Sequence, residues 1–306
     1  MAYDPHATDE YLVCTACGTQ FPVTDRAALP TCRICDDPRQ FTPPAGQSFT
    51  TMAGVRQKHH NVFHEATGGD ERLTSIASEP KLAIGQRAIL VRTPAGNILW
   101  DCLTLIDDDT VQRIHDLGGL KAIVISHPHY YSSHVEWAAA FDCPVYLRNE
   151  DREWTVQQSP RQVFWEGDDI QQVLPDSGAL AIRLGGHFPG SQVFLFGSHL
   201  LIADTLVTTP AGLGSWATDA LGTPRERPAG MNSFAFMWSI PNMIPLSGEE
   251  VFKMWSILKH HDFASTHGAF IGTDIVAPDI KQRVLDSMQI QTKFAGWARQ
   301  DAWATV

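Results

Sequence analysis

From about residue 86 onward the chain alternates short apolar runs with clusters of glycine, proline and acidic residues, a spacing that predicts alternating strands and helices. Residues 88–91 and 97–100 flank Pro94-Ala95-Gly96 as two strands of a hairpin that leads to Asp101. Residues 110–117 carry Val111, Ile114 and Leu117 at helical spacing and stop at Gly118-Gly119. Residues 122–125 read as a buried strand, 135–141 as a helix and 145–147 as a further strand. In the second half, residues 180–184, 192–196 and 200–203 read as strands, the last two joined at Gly197-Ser198. Ser247-x-x-Glu250 is a capping box that opens a helix to about His260, and residues 263–265 form a short strand that ends at His267. Such alternation predicts an α/β fold, and two strand-rich halves of like design predict a sandwich of two sheets.

The first 45 residues follow a different pattern. Cys14-Thr-Ala-Cys17 and Cys32-Arg-Ile-Cys35 are separated by fourteen residues that include Pro22 and Pro30. Two turns that each present a pair of thiolates close a tetrahedral four-sulfur site, which suits Zn²⁺ because no further ligand is needed; Fe accepts the same set. The stretch resembles a zinc ribbon and the rubredoxin-like module of rubrerythrins. The Pro/Gly-rich sequence FTPPAGQ at residues 41–47 then sets an expected boundary near residue 45, with a ribbon over 1–45 and the main domain over 46–306.

Composition narrows the class. At 306 residues, 43% hydrophobic and 19% charged, the chain is long enough for one large and one small domain and has no bias towards disorder or coiled coil. Net charge is −11, from 23 basic against 34 acidic residues, and no Lys/Arg cluster follows a phosphate backbone, so nucleic acid is not an expected partner. The polar, acidic start lacks the marks of a signal peptide, and no apolar run nears the ~20 residues of a membrane span. The expected location is cytoplasmic, where paired cysteines hold metals rather than disulfides; Cys102 and Cys143 fall in apolar segments.

Five polar positions sit just past predicted strand ends: His127 and His129 in SHPHYYSSH, His187 in GGHFPGS, Asp204 in LIADT and His267 in STHG. Loops at strand termini let a scaffold aim distant side chains at one point. On these motifs, together with NILWDC around Asp101, the chain from about Gln86 to Gly272 resembles the metallo-β-lactamase-fold superfamily. The resemblance implies a four-layer αββα sandwich with a zinc site at one edge, usually binuclear, and hydrolysis of a small ester, thioester, lactone or amide by a metal-bound hydroxide. It implies His127, His129, His187, Asp204 and His267 as metal ligands, Asp204 as the bridging aspartate, and Asp101 as support for the metal loop.

The motif departs from the family where Asp and His of the second metal site belong: Tyr131 and Ser132 stand there, and the next histidine, His134, comes two residues late. At a helix start that shift turns a side chain through roughly 200°. Two readings follow. Either the loop bulges and His134 joins Asp204 and His267 at a second metal, or His127, His129 and His187 hold one Zn²⁺, with Asp204 as a fourth ligand and His134 beside the site as support. Tyr131, or its neighbour Tyr130, is a candidate to orient the water or supply a proton.

Elsewhere, KHHNVFHEA at residues 58–66 reads as a solvated flank or as a segment over the active-site mouth, and His260-His261 ends the capped helix without a catalytic role. The aromatic and Met-rich insertion 205–246 is expected to be a lid, an oligomer contact or core; as a lid it implies a small-molecule substrate with an apolar or aromatic part. Residues 151–154 and 164–165 are candidates for the opposite wall. Two other functions fit the same residues: a non-haem iron redox enzyme fed by the rubredoxin-like module, and a non-catalytic binding protein with a degenerate metal site.

Overall fold

The computed structural model describes residues 3–305. A seven-stranded sheet runs in the order Gln162–Trp165, Val145–Arg148, Ala122–Val124, Ile98–Trp100, Arg87–Val91, Leu73–Glu79, His60–His64. A six-stranded sheet runs Ile170–Val173, Ala179–Arg183, Gln192–Phe196, His199–Leu201, Ser265–His267, Asp274–Val276. The central strands are apolar on both faces because both faces are covered. In Gln192–Phe196, alternate side chains leave the sheet on opposite sides. Phe194 and Phe196 join the core shared with Trp100 and Leu90, and Phe194 lies 5.5 Å from the Trp100 ring. Val193 and Leu195 face the other way, against Val251, Met254 and Leu258 of the helix Gly248–Leu258 and Val284 and Met288 of the helix Ile280–Phe294. The helices Asp108–Asp116 and His134–Ala140 bring Ile114, Trp137 and Ala138 into the first core. The fold is thus the expected α/β sandwich of helix, sheet, sheet and helix layers.

Local signals set these elements. The Asp107 side chain accepts from Thr110 N and that of Ser247 from Glu250 N, each satisfying a donor that the first helical turn leaves free. Among the described residues no helix is long and apolar enough to cross a membrane.

The N-terminal module is a three-stranded sheet with Leu12–Cys14 between Gln20–Phe21 and Phe49–Thr51. Its third strand lies beyond the boundary expected near residue 45, because antiparallel pairing with Leu12–Cys14 draws the chain back before it enters the main domain. The module packs on that domain: Gln20 Nε2 donates to Glu136 Oε2 at 2.7 Å, Thr104 Oγ1 to Gly18 O at 2.9 Å, and Gln157 Nε2 to Gln20 O at 2.9 Å.

Candidate metal centre

Among the described residues two groups of side chains could hold a metal: Cys14, Cys17, Cys32 and Cys35, and His127, His129, His187 and Asp204. All eight are buried, and within each group the donor atoms lie within 4.8 Å of one another. The sulfurs of Cys14 and Cys35 are 3.7 Å apart and those of Cys17 and Cys32 3.6 Å. A tetrahedron with Zn–S bonds of ~2.3 Å has edges of about 3.8 Å, so the four thiolates fit a single tetrahedral ion.

The second group is built by three loops. After Ala122–Val124 the chain passes Ser126, whose backbone N–H donates to Asp101 Oδ1 at 2.7 Å, and turns at Pro128 so that His127 and His129 face inward. Asp101 is itself left-handed, with φ 60°, and burial pushes its carboxyl up to about 8. His187 sits in the tight loop Gly185–Ser191. There Ser191 Oγ accepts from Phe188 N at 2.8 Å and Asp151 Oδ1 from Gly190 N at 3.0 Å. A Cβ on Gly190 would lie 2.6 Å from Arg148 Cβ and 2.7 Å from Asp151 Oδ2, which is why glycine closes this loop. Asp204 follows Ala203, a non-glycine residue at φ 44°. Left-handed alanine is held there by its surroundings, as strained residues at sites commonly are.

The hydrogen bonds assign the imidazoles. Met237 O, which can only accept, takes His187 Nδ1–H at 3.1 Å, so His187 Nε2 presents its lone pair towards His129 Nδ1, 3.1 Å away. His127 Nδ1 is held by Ser126 Oγ at 2.9 Å; its Nε2 makes no hydrogen bond and faces Asp204 Oδ2 at 3.3 Å. Burial holds His187 down to about 4 and His129 well below the usual histidine range, so both imidazoles are neutral at pH 7, the form that can accept a metal. Burial pushes the Asp204 carboxyl up, but His127, His187 and the Tyr130 hydroxyl outweigh it and leave it below its ordinary value. Three imidazoles and one carboxylate converging on one point, with a buried nitrogen that no protein group satisfies, is a donor set suited to a divalent ion such as Zn²⁺.

Three expected site residues lie elsewhere. His134 opens its helix with both nitrogens used: Nδ1–H donates to Tyr131 O at 2.8 Å, and Nε2 accepts from Gln162 Nε2 at 2.8 Å. It does not join the group of His127, His129, His187 and Asp204, because the turn of the helix carries it towards Gln162. His267 is the last residue of its strand, paired with Leu201, rather than in the loop beyond it, and its side chain is buried. Its Nδ1 meets Asp274 Oδ1 at 3.0 Å, while its Nε2 meets Ser265 Oγ at 3.0 Å and His199 Nδ1 at 3.1 Å. Tyr131 is buried with its hydroxyl 3.4 Å from Asp151 O, so it cannot serve water at the cluster. Tyr130 is the tyrosine on the site: its hydroxyl donates to Asp204 Oδ1 at 2.8 Å.

A cavity of about 190 Å³ opens onto His129, His187 and Asp204, walled by Phe41, Ile84, Val207, Ile240, Pro241 and Phe270, with Gln40 beside them. Val207, Ile240 and Pro241 come from the insertion 205–246, whose Phe234 and Phe236 are instead buried in the second core. Gln40 and Phe41 come from the end of the cysteine module, in what reads as a linker. Asp151 and Trp154 stand behind the His187 loop, and Trp165 stacks on Tyr146 at 4.6 Å outside the cavity. The 58–66 segment forms the strand His60–His64 at the edge of the first sheet.

No protein-family model matches the chain. The solved structure of VMB-1 superposes with a TM-score of 0.54 at 11% identity, covering 78% of this chain and 99% of that one. A point mutant of the flavo di-iron protein from Thermotoga maritima gives 0.50 at 12% identity, over 76% of this chain and 62% of that one. A metallo-β-lactamase from Pontibacter korlensis gives 0.49 at 12%, over 75% and 99%. With the layers and strand order above, the fold is that of the metallo-β-lactamases, carrying a four-cysteine module at its N-terminus. In sequence, the uncharacterized protein YmaE of Bacillus subtilis (strain 168) is 36% identical over 265 residues, 85% of this chain and 88% of YmaE. The chain belongs to the family of YmaE.

Proposed function

We propose that the protein is a metal-dependent hydrolase that cleaves a small ester, thioester, lactone or amide with an apolar acyl part, using one active-site metal held by His127, His129, His187 and Asp204. The observation that carries this reading is the convergence of three buried imidazoles and a carboxylate, of which His129, His187 and Asp204 line the floor of a largely apolar cavity. The chemistry a divalent ion would supply in such a ring is polarisation of a carbonyl and a lowering of the pKa of water towards ~7. The protein's part is orientation. Met237 O fixes the His187 tautomer, Ser126 Oγ holds His127, and Tyr130 holds one oxygen of Asp204 while the other faces His127. The wall is apolar apart from Gln40, the one polar side chain above the floor. We assign zinc to both centres and a structural role to the cysteine site. Turnover of metal-loaded protein on a panel of short esters, thioesters and lactones, abolished in His129→Ala, tests the reading; no turnover on any of them counts against it.

One observation favours a redox alternative with iron in both centres. Trp154 packs against the cysteine cluster and meets Phe188 edge-on at 5.6 Å, and Phe188 lies 4.9 Å from the His129 ring, so aromatic groups connect the two metal groups. Iron–thiolate absorption in protein purified without added metal would favour this reading over hydrolysis.

A further inference from the structure

Building on the hydrolase reading above, we infer that the end of the cysteine module is a wall of the active site, and that Phe41 sets the length of the acyl group the site accepts. The segment leaves Cys35 and is tied down within six residues. Asp36 N donates to Cys32 O at 3.0 Å, and the Asp37 carboxylate accepts from Arg39 N at 2.8 Å and from Arg39 Nε at 2.7 Å. Arg39 then reaches the metal loop. Its Nη1 donates to His187 O at 3.3 Å, and its guanidinium lies 3.7 Å from the centre of the Phe188 ring, which itself touches all three histidine rings.

On its other side the segment is bound to the insertion. Ser239 Oγ donates to Arg39 O at 2.9 Å, and Asn242 Nδ2 donates to Pro38 O at 3.1 Å and to Gln40 O at 2.8 Å. Gln40 and Phe41 are therefore held by the cysteine turn and by the insertion at once, and both line the cavity above His129, His187 and Asp204.

Size and chemistry name the ligand class. About 190 Å³ is smaller than the roughly 300–1,000 Å³ of drug-sized sites, so the cavity takes a short-chain or single-ring acyl group. Phe41 is 45% exposed and Phe270 37% exposed, so apolar surface continues from the cavity to its mouth.

The test is a chain-length series of alkyl hydroxamates, from acetohydroxamate to octanohydroxamate, bound to zinc-loaded protein and measured by calorimetry, so that no turnover is needed. Wild type is expected to gain affinity over the short members and lose it at the long ones. Phe41→Ala should move the loss to longer chains and tighten octanohydroxamate by roughly tenfold, the scale of a changed apolar contact in a pocket. Asn242→Ala, which frees the segment from the insertion, should blur the length dependence in the same direction. Phe41 is half exposed, so its replacement leaves the core intact. Binding with an unchanged length profile in Phe41→Ala would overturn the wall while sparing the metal site. Binding of no hydroxamate by wild type would overturn the metal-site reading itself, and the wall with it.

Discussion

The Tyr130 hydroxyl donates to Asp204 Oδ1 at 2.8 Å, so the protein itself occupies one oxygen of the carboxylate that the resemblance to the metallo-β-lactamase fold implied as a bridge between two metals. Tyr131 and Ser132 stand in place of the acid and histidine of the motif, and among the described residues His134 and His267 hydrogen-bond away from the His127, His129, His187 and Asp204 group. The single-metal site proposed here follows from that relationship.

Tyr130→Phe leaves the ring in place and removes only the hydroxyl. Support for a ligand carboxylate is commonly worth 10–100-fold in metal affinity. Zinc affinity at the His/Asp site should therefore fall by roughly tenfold to a hundredfold, with the cysteine site unaffected. Competition with a chromophoric chelator measures both; an unchanged affinity would mean that the hydroxyl does not position Asp204.

Asp151 gives a stability prediction with a defined sign. Burial pushes its carboxyl up to about 7, against ~3.9 unfolded, while Gly190 N–H pulls the other way; Oδ2 has no donor to stabilise its charge. A group raised in the folded state contributes stability that is full below pH ~3.9 and is lost as pH rises through about 7. Asp151→Asn keeps the acceptor for Gly190 and cannot ionise. Urea midpoints at pH 5 and pH 8 should diverge less in the variant than in wild type, and an equal divergence would contradict a raised Asp151.

Gly190→Ala introduces a Cβ against Arg148 Cβ at 2.6 Å and Asp151 Oδ2 at 2.7 Å. Overpacking of this kind costs about 1–3 kcal/mol, and the displaced loop carries His187. Thermal denaturation should show the loss, and zinc affinity at the His/Asp site should fall with it.

His134→Ala removes a buried imidazole that serves Tyr131 O and Gln162. Stability should drop by roughly 1–3 kcal/mol, the cost of unpaired buried partners, while zinc affinity is preserved. Chemical denaturation and chelator competition on the same sample separate the two.

Much of this site was legible in the sequence because its members obey one local rule. His127, His129, His187 and Asp204 each follow an apolar run, and the strands they follow form as expected. His267 obeys the same rule in the sequence, yet its strand runs over Ser265–His267 rather than 263–265. That two-residue shift takes His267 from the loop to the last position of the strand, where its side chain is buried. The strand Leu73–Glu79 was not legible because Ser75 breaks its apolar pattern in order to bond Thr67 and Arg87. The helix Ile280–Phe294 leaves little signal in the sequence because its buried apolar residues, Ile280, Val284 and Met288, form a narrow stripe in a polar stretch. Gln40 and Phe41 left no local signal at all. Their place in the cavity depends on how the cysteine module docks, and a Pro/Gly-rich stretch reads the same whether it faces solvent or a site.

The most direct measurement is metal content per chain by elemental analysis, on protein purified without added metal, for wild type, His129→Ala and His134→Ala. Four thiolates and one His₃Asp ring predict about two zinc ions per chain, falling to about one in His129→Ala and unchanged in His134→Ala. About three per chain, falling to two in His134→Ala, would contradict the single-metal site and restore His134 as a ligand.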